Sequence, residues 1–474
     1  AYERLRADGF PWMLESALQR DGVGRFSFVG SDPYAVARVR GPRARVEVLR
    51  EVGRTELVER RERCGDPWSW LRRRMPPQPA EVPREIEAIP FHGGAVVALG
   101  YELGDVELRG GDGGPRDELA LDDAIALLVD HVVVFDHALR RVWAIGLGFG
   151  RDAERATERA ERACARLASR VRGLRVEPHG DGEARRLAPD DDSRGLPPEV
   201  RPRTDAASYA KAIAALLEDI AAGDVYQVNL TQRLDVAYRG DPWELYRALR
   251  RANPAPFSAC LELPEVAILS SSPERFVRID ADGGVQSRPI KGTRRRGGSS
   301  RRDAELADDL ARSTKDRAEN LMIADLVRND LGRVCRIGSV AVPSLMAIEP
   351  YASVWQMVTT VEGERADGCD AFDVLQACFP PGSMTGAPKI AAMERIRALE
   401  PVRRGIYSGA LGYLDVRGGA DTSVVIRTLL VRGGVAHLHV GGGVVADSTF
   451  EGEYRESLDK AEALLAALER AGRG

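Results

Sequence analysis

Residues 287–294 read Ser-Arg-Pro-Ile-Lys-Gly-Thr-Arg, and at their centre stands Lys291, a residue type that this chain rarely uses. Of the 68 basic residues only five are lysine, and the other 63 are arginine. Because arginine essentially never loses its proton, a retained lysine is a candidate for a neutral amine that acts as nucleophile or base. Ile290 before it is typical of a strand end, and Gly292 after it allows a ligand to approach the backbone closely. The alternative is a surface lysine in a salt bridge.

The composition indicates a large protein without a strong charge bias. At 474 residues the chain is longer than one ordinary domain, and a formal net charge of −4 gives no sign of a general affinity for nucleic acid. The sequence contains no apolar run that could cross a membrane and no signal-peptide pattern. The six scattered cysteines include no Cys-x-x-Cys pair, which predicts free thiols in a reducing compartment, the cytoplasm, and argues against a zinc cluster.

Apolar periodicity predicts two structured parts joined by a linker. Residues 177–203 carry Pro, Gly, Asp and Arg with hardly any periodic apolar residue, which is typical of a linker. A helix then begins at Thr204 and Asp205 and ends near Gly223. We therefore predict an N-terminal subdomain over 1–176, the linker over 177–203 and a catalytic domain over 204–474. In the first part we predict strands at 25–30, 94–99 and 131–135, a hairpin from 131 to 145, and an amphipathic helix over 152–171.

Two predicted helices each carry acidic residues three positions apart, and therefore on one face. They are Asp316 with Glu319, and Glu453 with Glu456. Opposed carboxylates of this kind suit Mg²⁺, which takes oxygen ligands and often bridges to an anionic substrate. The alternative for either pair alone is a solvated helix face paired with Arg or Lys.

Two further charged residues adjoin predicted buried strands. Glu274 follows the strand-like residues 266–269, where burial would favour the protonated form of its carboxyl group and allow general acid or base catalysis. The alternative is an ion pair with Arg275. Arg427 follows the apolar residues 423–426, so it needs a partner, either a substrate carboxylate or an internal Asp or Glu.

Three other features are assigned structural roles. Residues 382–389 look like a phosphate-binding loop, but their spacing differs from Gly-x-x-x-x-Gly-Lys-Ser/Thr, which leaves only an anion contact at a helix N-terminus. His437 and His439 alternate on one strand face and are predicted to be packing residues. The basic run at 293–302 is predicted to be a solvated loop. The sequence contains no Gly-x-Cys-x-Gly nucleophile turn, so it predicts no cysteine-dependent glutaminase within this chain.

Taken together, long segments in a fixed order resemble the chorismate-utilising enzyme family. The resemblance covers about residues 204–468 strongly and the N-terminal part weakly, through residues 13–16 and 24–30. Within the family these segments are most similar to the branch that aminates chorismate at C4. The segments are GDVYQVNLTQRL (223–234), SSPERF (271–276), PIKGTRRRG (289–297), DRAENLMIADLVRNDLGRV (316–334), FPPGSMTGAPK (379–389), RGIYSGALGYL (404–414), VVIRT (424–428), GGGVVADS (441–448) and EGEYRESLDKAEALL (451–465).

The resemblance implies a fold and a metal site. The implied fold is α+β, a four-layer α/β/β/α sandwich of two orthogonal, mostly antiparallel sheets with outer helices and the active site in the central cleft. Glu319 and Glu456 match the family's Mg²⁺ ligands, Glu453 lies beside them, and Asp316 would act through water. The metal would neutralise the ring carboxylate of chorismate.

The resemblance also implies roles around the substrate. Glu274 matches the acid that protonates the departing 4-hydroxyl, and Tyr407 and Arg427 match the residues that hold the enolpyruvyl carboxylate. The glycines and Thr293 would line the pocket by backbone contact. The full set of expected substrate-binding residues is Gln227, Gly292, Thr293, Tyr407, Arg427, Gly441, Gly442, Gly443 and Lys460.

Two positions distinguish branches of the family. Water-using relatives carry a lysine base where this chain has Gln227, which cannot take a proton, so the implied nucleophile is ammonia. Anthranilate synthases have a small residue where this chain has Lys291. In the branch with Pro-Ile-Lys-Gly-Thr, the lysine amine is expected to attack C2 as the 4-hydroxyl leaves, and ammonia then enters at C4 and expels the lysine. The product would be 4-amino-4-deoxychorismate, on the route to p-aminobenzoate and folate.

The resemblance further implies partners and leaves alternatives open. A separate glutamine amidotransferase subunit would supply the ammonia, and Leu14, Glu15 and Ser16 resemble part of a tryptophan-binding pocket.

One departure is Gln356, which stands where many relatives have a histidine near the substrate, so any proton transfer by that histidine is in doubt here. The alternatives are an anthranilate synthase component and a non-catalytic regulatory subunit that binds chorismate or an amino acid.

Overall fold

The computed structural model describes residues 1–18, 24–49, 58–79, 81–104, 114–149, 152–173 and 199–472. The strands in these ranges are β1 Trp12–Glu15, β2 Phe26–Gly30, β3 Ala35–Arg40, β4 Arg43–Val48, β5 Val58–Arg63, β6 Gly94–Leu99, β7 Ala124–Val129, β8 His131–Asp136, β9 Arg141–Gly146, β10 Val200–Pro202, β11 Gln227–Ala237, β12 Phe257–Glu262, β13 Ala267–Ser272, β14 Arg275–Ile279, β15 Gly284–Arg288, β16 Ile290–Arg295, β17 Ala341–Pro350, β18 Val354–Glu364, β19 Gly386–Ala387, β20 Ala410–Asp415, β21 Ala420–Val424, β22 Thr428–Arg432 and β23 Val435–Val444.

Local sequence signals explain where the principal helices begin and end. Asp205 caps α4 by accepting a hydrogen bond from the Ser208 amide, and Gly223 ends it with a φ of 85°. Ser313 caps α7 in the same way, through the Asp316 amide. The helices are α1 Tyr2–Leu5, α2 Pro67–Arg72, α3 Ala153–Val171, α4 Ala206–Ala222, α5 Pro242–Ala252, α6 Ser300–Arg312, α7 Thr314–Gly332, α8 Ala371–Cys378, α9 Lys389–Leu399 and α10 Phe450–Gly472.

The strands form two sheets, and every strand ladder between described strands is antiparallel. Sheet I has the order β10-β11-β23-β22-β13-β12-β1-β2-β8-β9, with β19 paired to β11. Sheet II has the order β16-β18-β15-β14-β21-β20-β6-β7-β3-β4-β5, with β17 paired to β18. Both sheets therefore combine strands from the N-terminal and C-terminal parts of the sequence.

Three buried clusters show how the layers are stacked. One cluster lies between the sheets and joins Phe28 and Ile268 of sheet I to Val96 and Leu411 of sheet II. A second packs α7 and α8 on the other face of sheet II, and a third packs α5 and α10 on the other face of sheet I. The layer order is helix, sheet, sheet, helix, which confirms the α/β/β/α sandwich that the family resemblance implies.

The predicted elements of the N-terminal part are confirmed, with bounds that differ by one or two residues. The strands at 25–30, 94–99 and 131–135, the hairpin to 145 and the helix over 152–171 correspond to β2, β6, β8, β9 and α3. The division at 176 and 203 stays a prediction, and most of the predicted linker lies outside the described residues. None of the helices that the structure describes is both long and apolar enough to cross a membrane.

Candidate active site

Lys291 lies on a bulge in the edge strand of sheet II. Ile290 of β16 pairs with Val358 of β18, and Thr293 pairs with Gln356, so two residues of β16 oppose one of β18. The second of the two is Gly292, at a φ of +88°. A Cβ atom there would lie 2.9 Å from side-chain atoms of α6 and α7, so glycine is required both by the backbone and by the helix packing. Bulges of this kind re-aim a side chain, here the Lys291 amine.

The Lys291 ammonium faces three carboxylates, one from β13–β14 and two from outer helices. Its charge lowers the pKa of Glu274, of Glu319 and of Glu456, against the effect of burial in each case. These residues belong to different elements, and the fold brings all of them to one place. The structure thus assembles the amine, the predicted general acid and two of the predicted metal ligands.

Glu274 has the environment of a general acid at neutral pH. It lies between β13 and β14 and is 5% exposed. Burial raises the pKa of Glu274 to about 7, although hydrogen bonds from Ser383 and the Ile290 amide and the Lys291 charge oppose the rise. A carboxyl group with this pKa can hold a proton and release it near pH 7. The alternative prediction, an ion pair with Arg275, is wrong, because Arg275 pairs with Asp421 at 3.0 Å.

The acidic residues of α7 and α10 form a carboxylate cluster. Burial raises the pKa of Glu319 and that of Glu453, and the Glu456 charge adds to both increases. The pKa of Glu456 is lowered, because Lys460 and two other ammonium groups outweigh its burial. Lys460 donates to Glu456 at 2.6 Å and to the Gly441 carbonyl at 2.7 Å. In the part of the chain that the structure describes, no three His, Cys, Asp or Glu side chains converge as a ready-made metal site.

The glycines of β23 allow the carboxylates and an amide to approach the backbone. A Cβ atom on Gly442 would lie 2.4 Å from Oε2 of Glu453, and one on Gly443 would lie 2.1 Å from Nε2 of Gln227. Gln227 is 1% exposed, and neither atom of its amide has a hydrogen-bond partner among the described residues. Oε2 of Glu453 is likewise buried and unpartnered. These atoms can therefore bind a ligand without breaking a contact within the protein.

Tyr407 and Arg427 form the other side of the site. Burial raises the pKa of Tyr407 to about 12, so its phenol remains a hydrogen-bond donor. Burial lowers the pKa of Arg427, and the charges of Tyr407 and Glu456 oppose this change. Arg427 donates to the Lys460 carbonyl at 2.5 Å. Its φ of 52° is rare for a side chain of this size and holds the guanidinium at the start of β22.

The structure bears on three sequence-based interpretations and corrects one of them. His439 packs as predicted, since its ring stacks on that of Tyr407 with centroids 4.9 Å apart. The Lys389 side chain donates to Asp330 at 2.6 Å and to two backbone carbonyls, and an anion contact at this helix N-terminus stays a prediction. The basic run at 293–302, predicted to be a loop, contains the end of β16, the start of α6 and an ion pair from Arg296 to Asp303 at 2.5 Å.

Sequence reasoning also missed residues that support the site. Ser383 donates to Glu274, and Ser448 donates to Glu453 at 2.6 Å. Lys315, a turn before Glu319 on α7, lowers the pKa of all three clustered glutamates. The scarcity of lysine was a usable signal for Lys315, since three of the five lysines, Lys291, Lys315 and Lys460, act electrostatically on the clustered glutamates. Serine is too common to give such a signal.

The comparison with known proteins gives the family. The model for the chorismate binding enzymes matches residues 23–466. The chain belongs to the chorismate-binding enzymes. Aminodeoxychorismate synthase component 1 of Salmonella typhimurium is 38% identical to this chorismate-binding enzyme, over 97% of this chain and 93% of the relative. Anthranilate synthase component 1 of Synechocystis sp. is 39% identical over 98% of this chain and 92% of the relative.

Another relative and a solved structure extend the comparison. Aminodeoxychorismate synthase of Streptomyces pristinaespiralis is 44% identical to this chorismate-binding enzyme over 81% of the chain, but the match spans only 52% of that relative. The crystal structure of anthranilate synthase component I from Streptococcus pneumoniae superposes with a TM-score of 0.75 at 28% identity, over 94% of this chain and 93% of the other. Fold and family are therefore shared by enzymes with two different names.

Proposed function

We propose that this chorismate-binding enzyme converts chorismate to 4-amino-4-deoxychorismate. The observation that carries the proposal is the position of Lys291, on a glycine-dependent bulge where its charge acts on Glu274, Glu319 and Glu456. A small residue at this position would leave C2 of the ring open to ammonia. A lysine places a nitrogen nucleophile there first, which favours the C4-amination branch.

The proposed reaction proceeds in two substitutions. In the first, the Lys291 ammonium has released a proton to solvent, its neutral nitrogen forms a bond to C2, the ring double bond shifts, and the C4–O bond breaks as Glu274 gives its proton to the leaving oxygen, releasing water. In the second, ammonia forms a bond to C4, the double bond returns, and the C2–N bond to Lys291 breaks. The proton that ammonia loses restores Glu274, and the proton on the lysine adduct leaves with its amine. Chorismate keeps its enolpyruvyl group throughout.

We propose that the carboxylates of α7 and α10 hold a Mg²⁺ ion when it binds, although no three of the described side chains converge as a ready-made site. Glu319, Glu453 and Glu456 would hold it, and the unpartnered buried oxygen of Glu453 supports this assignment. Bound there, Mg²⁺ would neutralise the ring carboxylate of chorismate. Burial and the charge of Glu456 raise the pKa of both Glu319 and Glu453, and a bound dication would relieve this repulsion.

The remaining site residues would orient the substrate. We assign Tyr407 and Arg427 to the enolpyruvyl carboxylate, because a protonated phenol and a guanidinium both donate to an anion. Gly441, Gly442 and Gly443 would provide backbone contact, as Gly292 and Thr293 would on the opposite side, and Lys460 would complete the pocket. Gln227 would stand beside the incoming ammonia, where its neutral amide cannot act as a base that activates water.

The ammonia source in this proposal is a separate glutamine amidotransferase subunit. The relatives from Salmonella typhimurium and Escherichia coli are named component 1, which implies a second component. We place the protein in the cytoplasm, since the described cysteines are all free thiols, as a reducing compartment requires.

A second ligand is proposed for the N-terminal cavity. Leu14, Glu15 and Ser16 line a cavity of about 670 Å³ between the sheets, together with Phe26 and Phe257. Aromatic walls together with charged and hydroxyl groups suit an aromatic amino acid, so tryptophan remains the proposed occupant.

The second candidate function is that of an anthranilate synthase component, which the Synechocystis sp. relative favours by name. A product assay separates the two. Purified protein is incubated with chorismate, Mg²⁺ and excess ammonium, and the products are identified by mass spectrometry. We expect a product that keeps the enolpyruvyl group and carries nitrogen at C4. Anthranilate with released pyruvate would overturn the proposal, and no turnover in the presence of an added amidotransferase subunit would favour a binding subunit.

A further inference from the structure

Asn320, next to the proposed metal ligand Glu319, ties α7 to the strand opposite the Lys291 bulge. Its side chain is 1% exposed. Nδ2 donates to the Met357 carbonyl at 3.1 Å, and Oδ1 accepts a hydrogen bond from the Thr359 hydroxyl. One amide thus contacts two residues on the same face of β18, and both of its polar atoms are satisfied.

The contacts lie at the level of the bulge. Met357 is the single residue of β18 that lies opposite Lys291 and Gly292, between the Ile290–Val358 and Thr293–Gln356 pairs. Thr359 contacts the same segment from the other side, because its backbone amide donates to the Pro289 carbonyl at 3.1 Å. Asn320 therefore forms hydrogen bonds with Met357, which lies opposite the bulge, and with Thr359, which is bonded to the residue before β16.

A bulge disrupts the local ladder of backbone hydrogen bonds, and the orphaned groups need other partners. The Met357 carbonyl, opposite the bulge, accepts a hydrogen bond from Asn320. The donor and acceptor of an amide are fixed in one plane, so this side chain can satisfy a carbonyl and a hydroxyl at one spacing. Aspartate lacks the donor, and leucine lacks both groups.

We propose that Asn320 is a positioning residue that sets the distance between the Lys291 amine and the Glu319 carboxylate. The inference rests on the proposed function, in which Lys291 attacks the ring whose carboxylate the Glu319 site holds. Asn320 touches neither substrate nor metal. It acts through Met357 and Thr359 on β18, and through the adjacent peptide on α7.

The same network reaches one strained residue. The Thr359 hydroxyl that donates to Asn320 also accepts from the Met346 amide at 3.0 Å, and Met346 has a φ of 56°. A methionine in this conformation is held there by its surroundings. The hydroxyl of Thr359 is thus shared by β17 and α7, so its removal should loosen both contacts.

The test compares Asn320→Leu and Asn320→Asp with Asn329→Leu and Asn329→Asp. Asn329 lies on the same helix but is exposed, so the control pair makes the same chemical changes away from the network. In the full chain, we expect both Asn320 variants to lower kcat 10- to 100-fold with KM for chorismate changed less than threefold. We also expect Mg²⁺ to bind about tenfold more weakly in calorimetry without substrate, the scale seen when a residue behind a metal ligand is removed.

A second pair of variants keeps the inference testable if the Asn320 variants fold poorly. Thr359→Val removes the hydroxyl, whereas Thr359→Ser keeps it. We expect Thr359→Val to reproduce the loss of kcat and of Mg²⁺ affinity, and Thr359→Ser to restore both to within threefold of the parent protein. Variants that only melt at lower temperature, with kcat and Mg²⁺ affinity retained, would overturn the positioning role.

These results are separable from the proposed function. If the parent protein makes another product from chorismate, the function proposal fails, but the Mg²⁺ calorimetry still reports on Asn320. If the parent makes 4-amino-4-deoxychorismate and the Asn320 and Thr359→Val variants match it in kcat and Mg²⁺ affinity, only the positioning inference fails.

Discussion

Replacing Glu274 with glutamine should strongly reduce kcat and, above pH 4.5, stabilise the folded protein. Glutamine has the shape of the protonated acid but has no proton to give. At its pKa of about 7, Glu274 is about half protonated at pH 7, whereas a carboxyl group with the ordinary value of 4.5 would be about 0.3% protonated. The structure thus keeps the acid form available at neutral pH, and we expect Glu274→Gln to lower kcat by about 10²- to 10⁴-fold.

The stability effect has a definite sign and pH range. Because the folded-state pKa is raised above the unfolded value, the stability that the protonated group contributes is complete below pH 4.5 and is lost as pH rises through 7. Between those limits the loss is on the order of 3 kcal/mol. The glutamine variant stays neutral, so it should match the parent near pH 4.5 and exceed it at pH 9. For a chain of this length that difference corresponds to a melting temperature about 3 °C higher.

The assay is thermal unfolding of parent and variant across this pH range, with kcat measured on the same preparations. Glu394→Gln on the exposed face of α9 is the matched control and should leave both quantities unchanged. A melting-temperature difference that is independent of pH would refute the raised pKa, and full activity in the variant would remove Glu274 from the reaction.

Three further predictions concern neighbouring residues. Lys291→Ala should abolish the covalent substrate adduct, and a variant peptide that still carries the adduct mass in a rapid-quench digest would contradict the nucleophile assignment. Tyr407→Phe removes one hydrogen bond to a charged group, so KM for chorismate should rise about 10- to 100-fold in steady-state kinetics with a smaller change in kcat; an unchanged KM would place the enolpyruvyl carboxylate elsewhere. Gly442→Ala sets a methyl group 2.4 Å from Glu453 and should weaken Mg²⁺ binding at least tenfold in calorimetry, whereas Gly332→Ala, with open space around it, should not.

The sequence predicted the residues proposed to react or to bind metal better than the residues that position them. Lys291 stands out because the chain almost never uses lysine, and the acidic pairs stand out because a helix brings residues three apart onto one face. The layered fold did not follow from periodicity, and came instead from the order of long motifs. Ser383 gave no local signal, because its role depends on a contact with Glu274 that only the folded chain creates.

The bulge illustrates the same limit. A glycine after Lys291 predicts a special backbone, but the extra residue is defined only by the register against β18, which is set by pairing far along the chain. The electrostatic coupling of Lys291 to two helices could likewise not be read from spacing. Local sequence thus predicts which side chains are candidates for the reaction, and long-range packing determines their position and orientation.

The mixing of early and late strands in both sheets has a consequence for synthesis of the protein. β1 pairs with β12, for example Trp12 with Leu261, and β6 pairs with β20, for example Leu99 with Ala410. During translation β1 and β6 therefore leave the ribosome long before their partner strands are synthesised. Until those partners emerge, the nascent chain exposes unpaired strand edges, which favour aggregation. Pairings so distant in sequence also slow folding. The protein should therefore depend on chaperones during translation, and residues 204–474 expressed alone should be insoluble.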